Sequence, residues 1–212
     1  IGERAAAGRS PPPPGFPKGA EGCPQATAVN DVIDLRLELK SPKNSSGFAF
    51  DFNFYSGEWP AFICSKFNDG FIAYVQAKSY KGGVGDNISF DVQNNPVSVN
   101  NGFFDRCTPD INLGCGSAVA GKSKCPGGPG ELAGTGFGIM GDACGQGQIS
   151  TRGGATGWLF SQAPIAAEEQ FTIDFIIWDT QDGILDSSIL LDHFRWILGD
   201  VVTTTDRPVD PK

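Results

Sequence analysis

The stretch FAFDFNF at residues 48–54 places a phenylalanine at every second position. Alternate side chains of a β-strand point to the same face, so the four rings line one side and the intervening Ala, Asp and Asn residues line the other. Four aromatic rings on one face predict a strand that buries this face in a hydrophobic core.

Other segments repeat the period of two. Apolar and polar residues alternate over residues 33–39 and 171–177, and a further strand is expected over 189–198. Shorter strands are expected over 71–75, 88–92 and 97–99, with one or two helical turns between Tyr55 and Asp69. Short strands separated by Gly- and Pro-rich turns predict an all-β fold, an antiparallel β-sandwich of jelly-roll type.

Composition excludes several classes of protein. The 212 residues fit one domain, and the net charge of -8 argues against nucleic acid as a partner, because phosphate binding needs clustered Lys and Arg. No apolar run approaches the ~20 residues of a membrane span, so none is expected. The single histidine, His193, excludes a metal site built on several histidines.

Composition also divides the chain. We expect a Pro-rich arm over residues 1–28, one sandwich domain over 29–200 and a polar tail over 201–212. Within the domain, residues 101–157 form an insertion that holds sixteen of the 29 glycines and four of the six cysteines. The arm has little apolar surface to bury on its own domain, so it is either a mobile tail or a segment that docks on another copy of the protein.

Cysteine usage points to an oxidising compartment. The chain has no C-x-x-C pair and a single methionine, Met140, which is not at its start. These features predict a secreted protein whose signal peptide has been removed and whose six cysteines form three disulfides that pin the insertion. We expect Cys23 to pair with Cys64 and the others to pair among themselves. Those four are Cys107, Cys115, Cys125 and Cys144.

Acidic residues concentrate in two loops. Asp179, Asp182 and Asp186 follow a strand with the spacing D-x-x-D-G-x-x-D, and Glu58 and Asp69 lie in a second loop. Calcium prefers carboxylate and carbonyl oxygens, and a sandwich can gather ligands from several loops at one end. These five residues are therefore candidate calcium ligands. The alternative is that Asp182 and Gly183 form a hairpin turn and the acids are only solvated.

Two segments resemble the choice-of-anchor L domain family. Residues 50–60, FDFNFYSGEWP, followed by FNDGF at 67–71, are similar to its motif F-x-F-x-S-x-E-Y-P … F-N-D-x-F, with Trp59 where Tyr is usual. Residues 175–192, FIIWDTQDGILDSSILLD, resemble its closing motif D-x-x-D … D-S-x-hydrophobic. The resemblance spans about residues 32–196, and the insertion has no counterpart in it.

The resemblance implies a context more than an activity. The family occurs on bacterial surface and secreted proteins, and its five motif acids coincide with the candidate calcium ligands. We expect a non-enzymatic extracellular surface or matrix protein, adhesive or structural, with a structural calcium and no catalytic residue.

Three alternatives stay open. One is a filament or lattice subunit that contacts other copies through residues 1–28. Another is a module that binds surface glycans, with Tyr55, Trp59 or Trp158 stacking on the sugar. The third is a glycosidase that uses Glu58 and Asp179 as its carboxyl pair.

Overall fold

The computed structural model describes residues 12–59, 62–100, 103, 132–137 and 153–208. In this part of the chain it contains ten strands and a short 3-10 turn, Lys81–Gly83. The strands are β1 (Val29–Lys40), β2 (Gly47–Ser56), β3 (Gly70–Gln76), β4 (Asp86–Asn87), β5 (Val97–Ser98), β6 (Gly154–Ala155), β7 (Leu159–Pro164), β8 (Gln170–Thr180), β9 (Ser187–Ile197) and β10 (Thr204–Asp206).

The strands form two antiparallel sheets of five strands each. Sheet A has the order β1-β8-β3-β4, with β5 also paired to β3; sheet B has the order β10-β7-β2-β6, with β9 also paired to β2. This architecture confirms the predicted all-β sandwich. No described helix is long and apolar enough to cross a bilayer.

The core lies between the sheets and is built on the phenylalanine-rich strand. Phe48, Phe50, Phe52 and Phe54 are at most 2% exposed, as predicted. Phe50 meets Phe175 of sheet A edge to face, with 4.9 Å between ring centroids. Burying each such ring contributes roughly 1.5–3 kcal/mol to folding.

Strand β1 follows its predicted period only in part. It lies at the edge of sheet A, paired with β8 alone. Leu37 and Leu39 pack against the core, but Ile33 and Leu35 are 57% and 50% exposed. The alternation over residues 33–39 therefore marks a buried face only in the second half of β1, while the first half follows a register shift between residues 30 and 33.

Two other segments differ from the expected strands. The strand expected over 88–92 does not form: β4 ends at Asn87, Phe90 makes only an isolated bridge with Pro96, and Val92 is 99% exposed in a turn around Asp91. Conversely, β10 lies in the expected polar tail, where residues 204–206 pair with β7. Thr205 is buried there, and the hydrogen bond of its hydroxyl offsets the cost of burying a polar group. A strand without apolar residues can therefore form the edge of sheet B.

The described part of the arm, residues 12–28, packs on its own domain. Phe16 joins a small apolar cluster on the outer face of sheet A, 6.3 Å from the Trp178 ring, and Lys18 Nζ donates to the carbonyl of Asn94 at 2.8 Å. The arm has little apolar surface, as expected, but this part of it nevertheless packs Phe16 on its own domain. Residues 1–11 lie outside the described residues, so contact with other copies stays a prediction.

Candidate functional site

Strand ends from both sheets bring the predicted acidic residues to one end of the sandwich. Gly70 pairs with Trp178, so Asp69 lies just before β3 and beside Asp179 of β8. Ser56 pairs with Ser187, which places the Glu58 turn of β2 next to the start of β9. The N–H of Gly57 donates to the carbonyl of Asp186 at 3.0 Å and fixes this junction.

Three of these acids are buried. Glu58, Asp69 and Asp179 are 3%, 0% and 8% exposed. Asp182 is half-buried and Asp186 is exposed. Carboxyl groups are rarely buried to this degree unless a partner stabilises them.

Asp69 is the best anchored of the set. Its Oδ1 accepts from the backbone N–H of Thr180 at 3.1 Å, and its Oδ2 accepts from the hydroxyl of Ser187 at 2.7 Å. Burial raises the pKa of Asp69 to about 6, although these hydrogen bonds oppose the rise. Asp69 therefore links sheet A to β9 of sheet B and orients one carboxylate toward the cluster.

Asp179 shares a hydrogen bond with Asp69. Burial, followed by the charge of Asp69, raises the pKa of Asp179 to about 8. A hydrogen bond between two carboxyl groups needs a proton on one of them, and the two groups therefore titrate as a pair. In the absence of a cation, this pair is stable only when it is partly protonated.

Glu58 is the most perturbed of the acids. Burial is the largest cause, and it raises the pKa of Glu58 to about 9. The charges that add to the rise are all negative and come from Asp69, Asp182 and Asp179. Its Oε2 is buried and has no hydrogen-bond partner among the described residues. An unpaired carboxyl oxygen facing other carboxylates is an energetic cost that a cation would remove.

The side chains as they stand do not form a finished metal site. Among the described residues, no group of three or more acidic, histidine or cysteine side chains is arranged to hold a metal ion. Binding would require the carboxylates to rotate toward a common centre. The donor set is entirely oxygen, which fits a hard cation such as Ca²⁺.

Asp31 is an acid near this cluster that the sequence analysis did not select. Its charge contributes to the raised pKa of Asp179. Asp31 lies in the irregular part of β1 with φ 47°, and a Cβ added to Gly183 would collide with its carboxylate. The sequence offered only the Asn-Asp pair at the start of a strand as a signal, because the pairing of β1 with β8 cannot be seen in it.

A disulfide ties the arm to the loop that follows Glu58. Cys23 is bonded to Cys64, as predicted. The N–H of Cys64 also donates to Oδ1 of Asn100 at 2.6 Å. The cysteines at 107, 115, 125 and 144 lie outside the described residues, so their pairing stays a prediction.

Two of the three aromatic residues that could stack on a sugar are buried, and the third is exposed. Tyr55 and Trp59 are 5% and 2% exposed, so the prediction that they stack on a glycan is wrong. Tyr55 instead stacks on Phe137 at 5.6 Å and accepts a hydrogen bond from Asn53. Trp158, by contrast, is 39% exposed and lies elsewhere, at the start of β7.

Comparison with known proteins agrees with the resemblance seen in the motifs. No curated protein and no solved structure matches the chain significantly. The family model of the choice-of-anchor L domain matches residues 24–194, which include all five predicted acids and the Cys23-linked loop but not Cys23 itself. This match implies a cell-surface or secreted protein. With both motifs and most of its length covered by that model, the chain belongs to the choice-of-anchor L domain family.

Proposed function

We propose that this protein is a non-enzymatic component of a cell surface or extracellular matrix, adhesive or structural, with a structural calcium ion at one end of its sandwich. One observation carries the proposal: Glu58 is buried, its Oε2 has no described partner, and the charges acting on it are negative. Glu58, Asp69, Asp179 and Asp182 would hold the ion, with Asp186 at the rim.

Burial favours an ion over a substrate. A glycosidase needs two carboxyl groups on either side of a sugar that enters between them. Glu58 and Asp179 are 3% and 8% exposed, so a sugar has no access between them without opening the fold. A calcium ion is far smaller and needs only the space between the oxygen atoms that bind it.

The position of the acids supports a structural role. They follow or precede β2, β3, β8 and β9, which come from both sheets. An ion bound between these strand ends would cross-link the sandwich and stabilise the folded state by mass action. Extracellular modules commonly bind calcium with dissociation constants of roughly 10⁻⁴–10⁻³ M, which suits a site that is filled outside the cell.

Thermal unfolding with and without calcium tests this proposal. The melting temperature of chelator-treated protein should rise on addition of CaCl₂ and should not rise on addition of MgCl₂ at the same ionic strength. Glu58→Gln should raise the melting temperature of the metal-free protein, because Gln is neutral without the proton that Glu58 must take up on folding, and should reduce the response to calcium. Glu38→Gln, an exposed acid on β1, is the matched control and should respond like the wild type.

An equal response of both variants to calcium would contradict the site. So would a wild-type melting temperature that calcium leaves unchanged after the metal content has been measured and shown to be zero.

A further inference from the structure

A second polar site lies on the outer face of sheet B, away from the acidic end. A groove of about 400 Å³ is lined by Asp51, Trp158, Asp192 and His193. Asp51 belongs to the middle of β2, where it alternates with the buried Phe50 and Phe52 and so points away from the core. The groove is therefore built on paired strands, which hold their side chains more rigidly than loops do.

A β-bulge shapes this groove. Ala49 pairs with Arg195, but Asp51 pairs with Asp192, so β9 carries an extra residue between these two pairs. His193 has φ 50° there, and its N–H donates to Oδ1 of Asp192 at 2.7 Å. Bulges redirect side chains, and this one places two consecutive polar residues of β9 at the groove.

The carboxylate of Asp51 is fixed by two donors. Nη1 of Arg195 donates to its Oδ1 at 2.7 Å, and Nδ1 of His193 lies 3.0 Å from its Oδ2. The same Arg195 nitrogen donates to the carbonyl of His193 at 3.0 Å. These contacts hold three polar side chains in place before any ligand arrives, which lowers the entropic cost of binding.

We propose that this groove binds a neutral saccharide. The exposed indole of Trp158 offers an apolar face on which a sugar ring can stack. Asp51 and Asp192 would accept hydrogen bonds from sugar hydroxyls and His193 would donate to them, while Arg195 holds the Asp51 carboxylate in place.

The charged side chains of the groove favour a neutral ligand over a cation or an anion. Asp51 is already paired with Arg195, which leaves it poorly suited to capture a cation. Asp192 adds a second negative charge to the groove, which disfavours anionic sugars and phosphates. A neutral ligand with many hydroxyl groups matches the remaining donors and acceptors. This inference is independent of the calcium site, because none of its residues belongs to the acidic cluster.

The indole N–H signals of the protein test the proposal directly. The chain has four tryptophans, so ¹⁵N-labelled protein gives four indole N–H signals, and Trp158→Phe identifies that of Trp158. The probes are short oligosaccharides of glucose, mannose, galactose or N-acetylglucosamine, with an oligomer of galacturonic acid as the anionic comparison. At least one neutral probe should shift the Trp158 signal in a saturable manner.

Variants then assign the contacts. Both Trp158 variants lack that indole signal, so their binding is followed by the backbone amide signals of the ¹⁵N-labelled protein. Trp158→Ala should weaken binding of that probe about tenfold or more, and Trp158→Phe should weaken it less, because a ring is kept. Asp192→Asn should weaken it several-fold, since an acceptor is lost. Leu35→Ala changes an exposed apolar residue on sheet A and should bind like the wild type. The remaining indole signals verify the fold of each variant.

Three results would overturn the inference. The first is that none of the neutral probes shifts the Trp158 signal. The second is that the galacturonic acid oligomer binds more tightly than every neutral probe. The third is that a neutral probe binds Trp158→Ala and Asp192→Asn as tightly as it binds the wild type.

Discussion

Glu58 could be identified as a candidate ligand from the sequence, but its burial and its missing hydrogen-bond partner could not. Its place in the motif made it a candidate ligand, but only the structure shows that it is buried with an unpartnered Oε2. Burial depends on how β2, β3 and β8 meet, and strand register is not readable from one sequence. For the same reason the sequence did not indicate that Asp31 lies near the cluster or that Tyr55 and Trp59 are buried rings.

The raised pKa values predict how the stability of the metal-free protein depends on pH. Asp69, Asp179 and Glu58 have folded-state pKa values of about 6, 8 and 9, above the ordinary values of 3.8 for Asp and 4.5 for Glu. A raised pKa means that the folded state holds protons that the unfolded state releases. This contribution to stability is complete below about pH 4 and is lost as the pH rises toward about 9.

Urea unfolding in chelator across this range should therefore show the free energy of unfolding falling as the pH rises. Saturating calcium should reduce the fall, because the ion replaces the protons. The slope should also be smaller in Glu58→Gln. A free energy of unfolding that rises between about pH 5 and pH 9 without metal would contradict the assigned states.

Gly70 is a second residue whose role is set by a close approach. A Cβ at this position would lie 2.9 Å from Cζ2 of Trp178. Gly70→Ala should displace this ring, disturb the cluster under Phe16 and lower the free energy of unfolding by about 1–3 kcal/mol. Gly199→Ala, where an added Cβ has nothing within 4 Å, is the matched control. Chemical denaturation measures both, and equal effects would contradict this packing role.

Among the elements, strands with strong apolar alternation were predictable and short polar strands were not. The phenylalanines of β2 and the alternation of β8 identify core strands without knowledge of their partners. Strand β10 has the sequence Thr-Thr-Asp and carries no apolar signal, so only its pairing with β7 reveals it. In strand β1 the apolar signal is present but misleading, because the residues at 33 and 35 are exposed in an edge strand of sheet A.

Thr205 tests the contribution of β10. Its hydroxyl donates to the carbonyl of Ile88 at 2.9 Å, accepts from the N–H of Phe90 at 3.1 Å and lies 2.7 Å from the hydroxyl of Ser161. Thr205→Val keeps the shape but leaves these buried groups unpaired, which should cost about 1–3 kcal/mol. Thr204→Val, a half-buried neighbour, should have a smaller effect. A fully stable Thr205→Val protein would show that β10 does not stabilise the domain.

At the scale of the whole molecule, the arm joins the fold at two kinds of contact. Phe16 packs near Trp178, and Cys23 is bonded to Cys64 in the loop after Glu58. The sequence predicted the covalent tether from cysteine grouping. It could not predict the apolar contact, because the outer face of a sheet is ordinarily polar and the cluster there is small.

Two truncations separate the roles of the arm. If residues 1–28 connect copies as predicted from the sequence, deleting residues 1–11 should abolish or reduce any assemblies. Deleting residues 1–19 should also lower the melting temperature, because it removes Phe16 and Lys18. Light scattering and thermal unfolding report the two effects. Assemblies of equal size without residues 1–11 would contradict the connecting role.

The central claim is the cation between the strand ends, and calorimetric titration of calcium into chelator-treated protein tests it most directly. We predict one calcium ion per chain with a dissociation constant of roughly 10⁻⁴–10⁻³ M. Asp179→Asn should bind at least about tenfold more weakly, and Glu38→Gln should bind like the wild type. The absence of binding at calcium concentrations of about 10 mM, or unchanged binding in Asp179→Asn, would contradict the account.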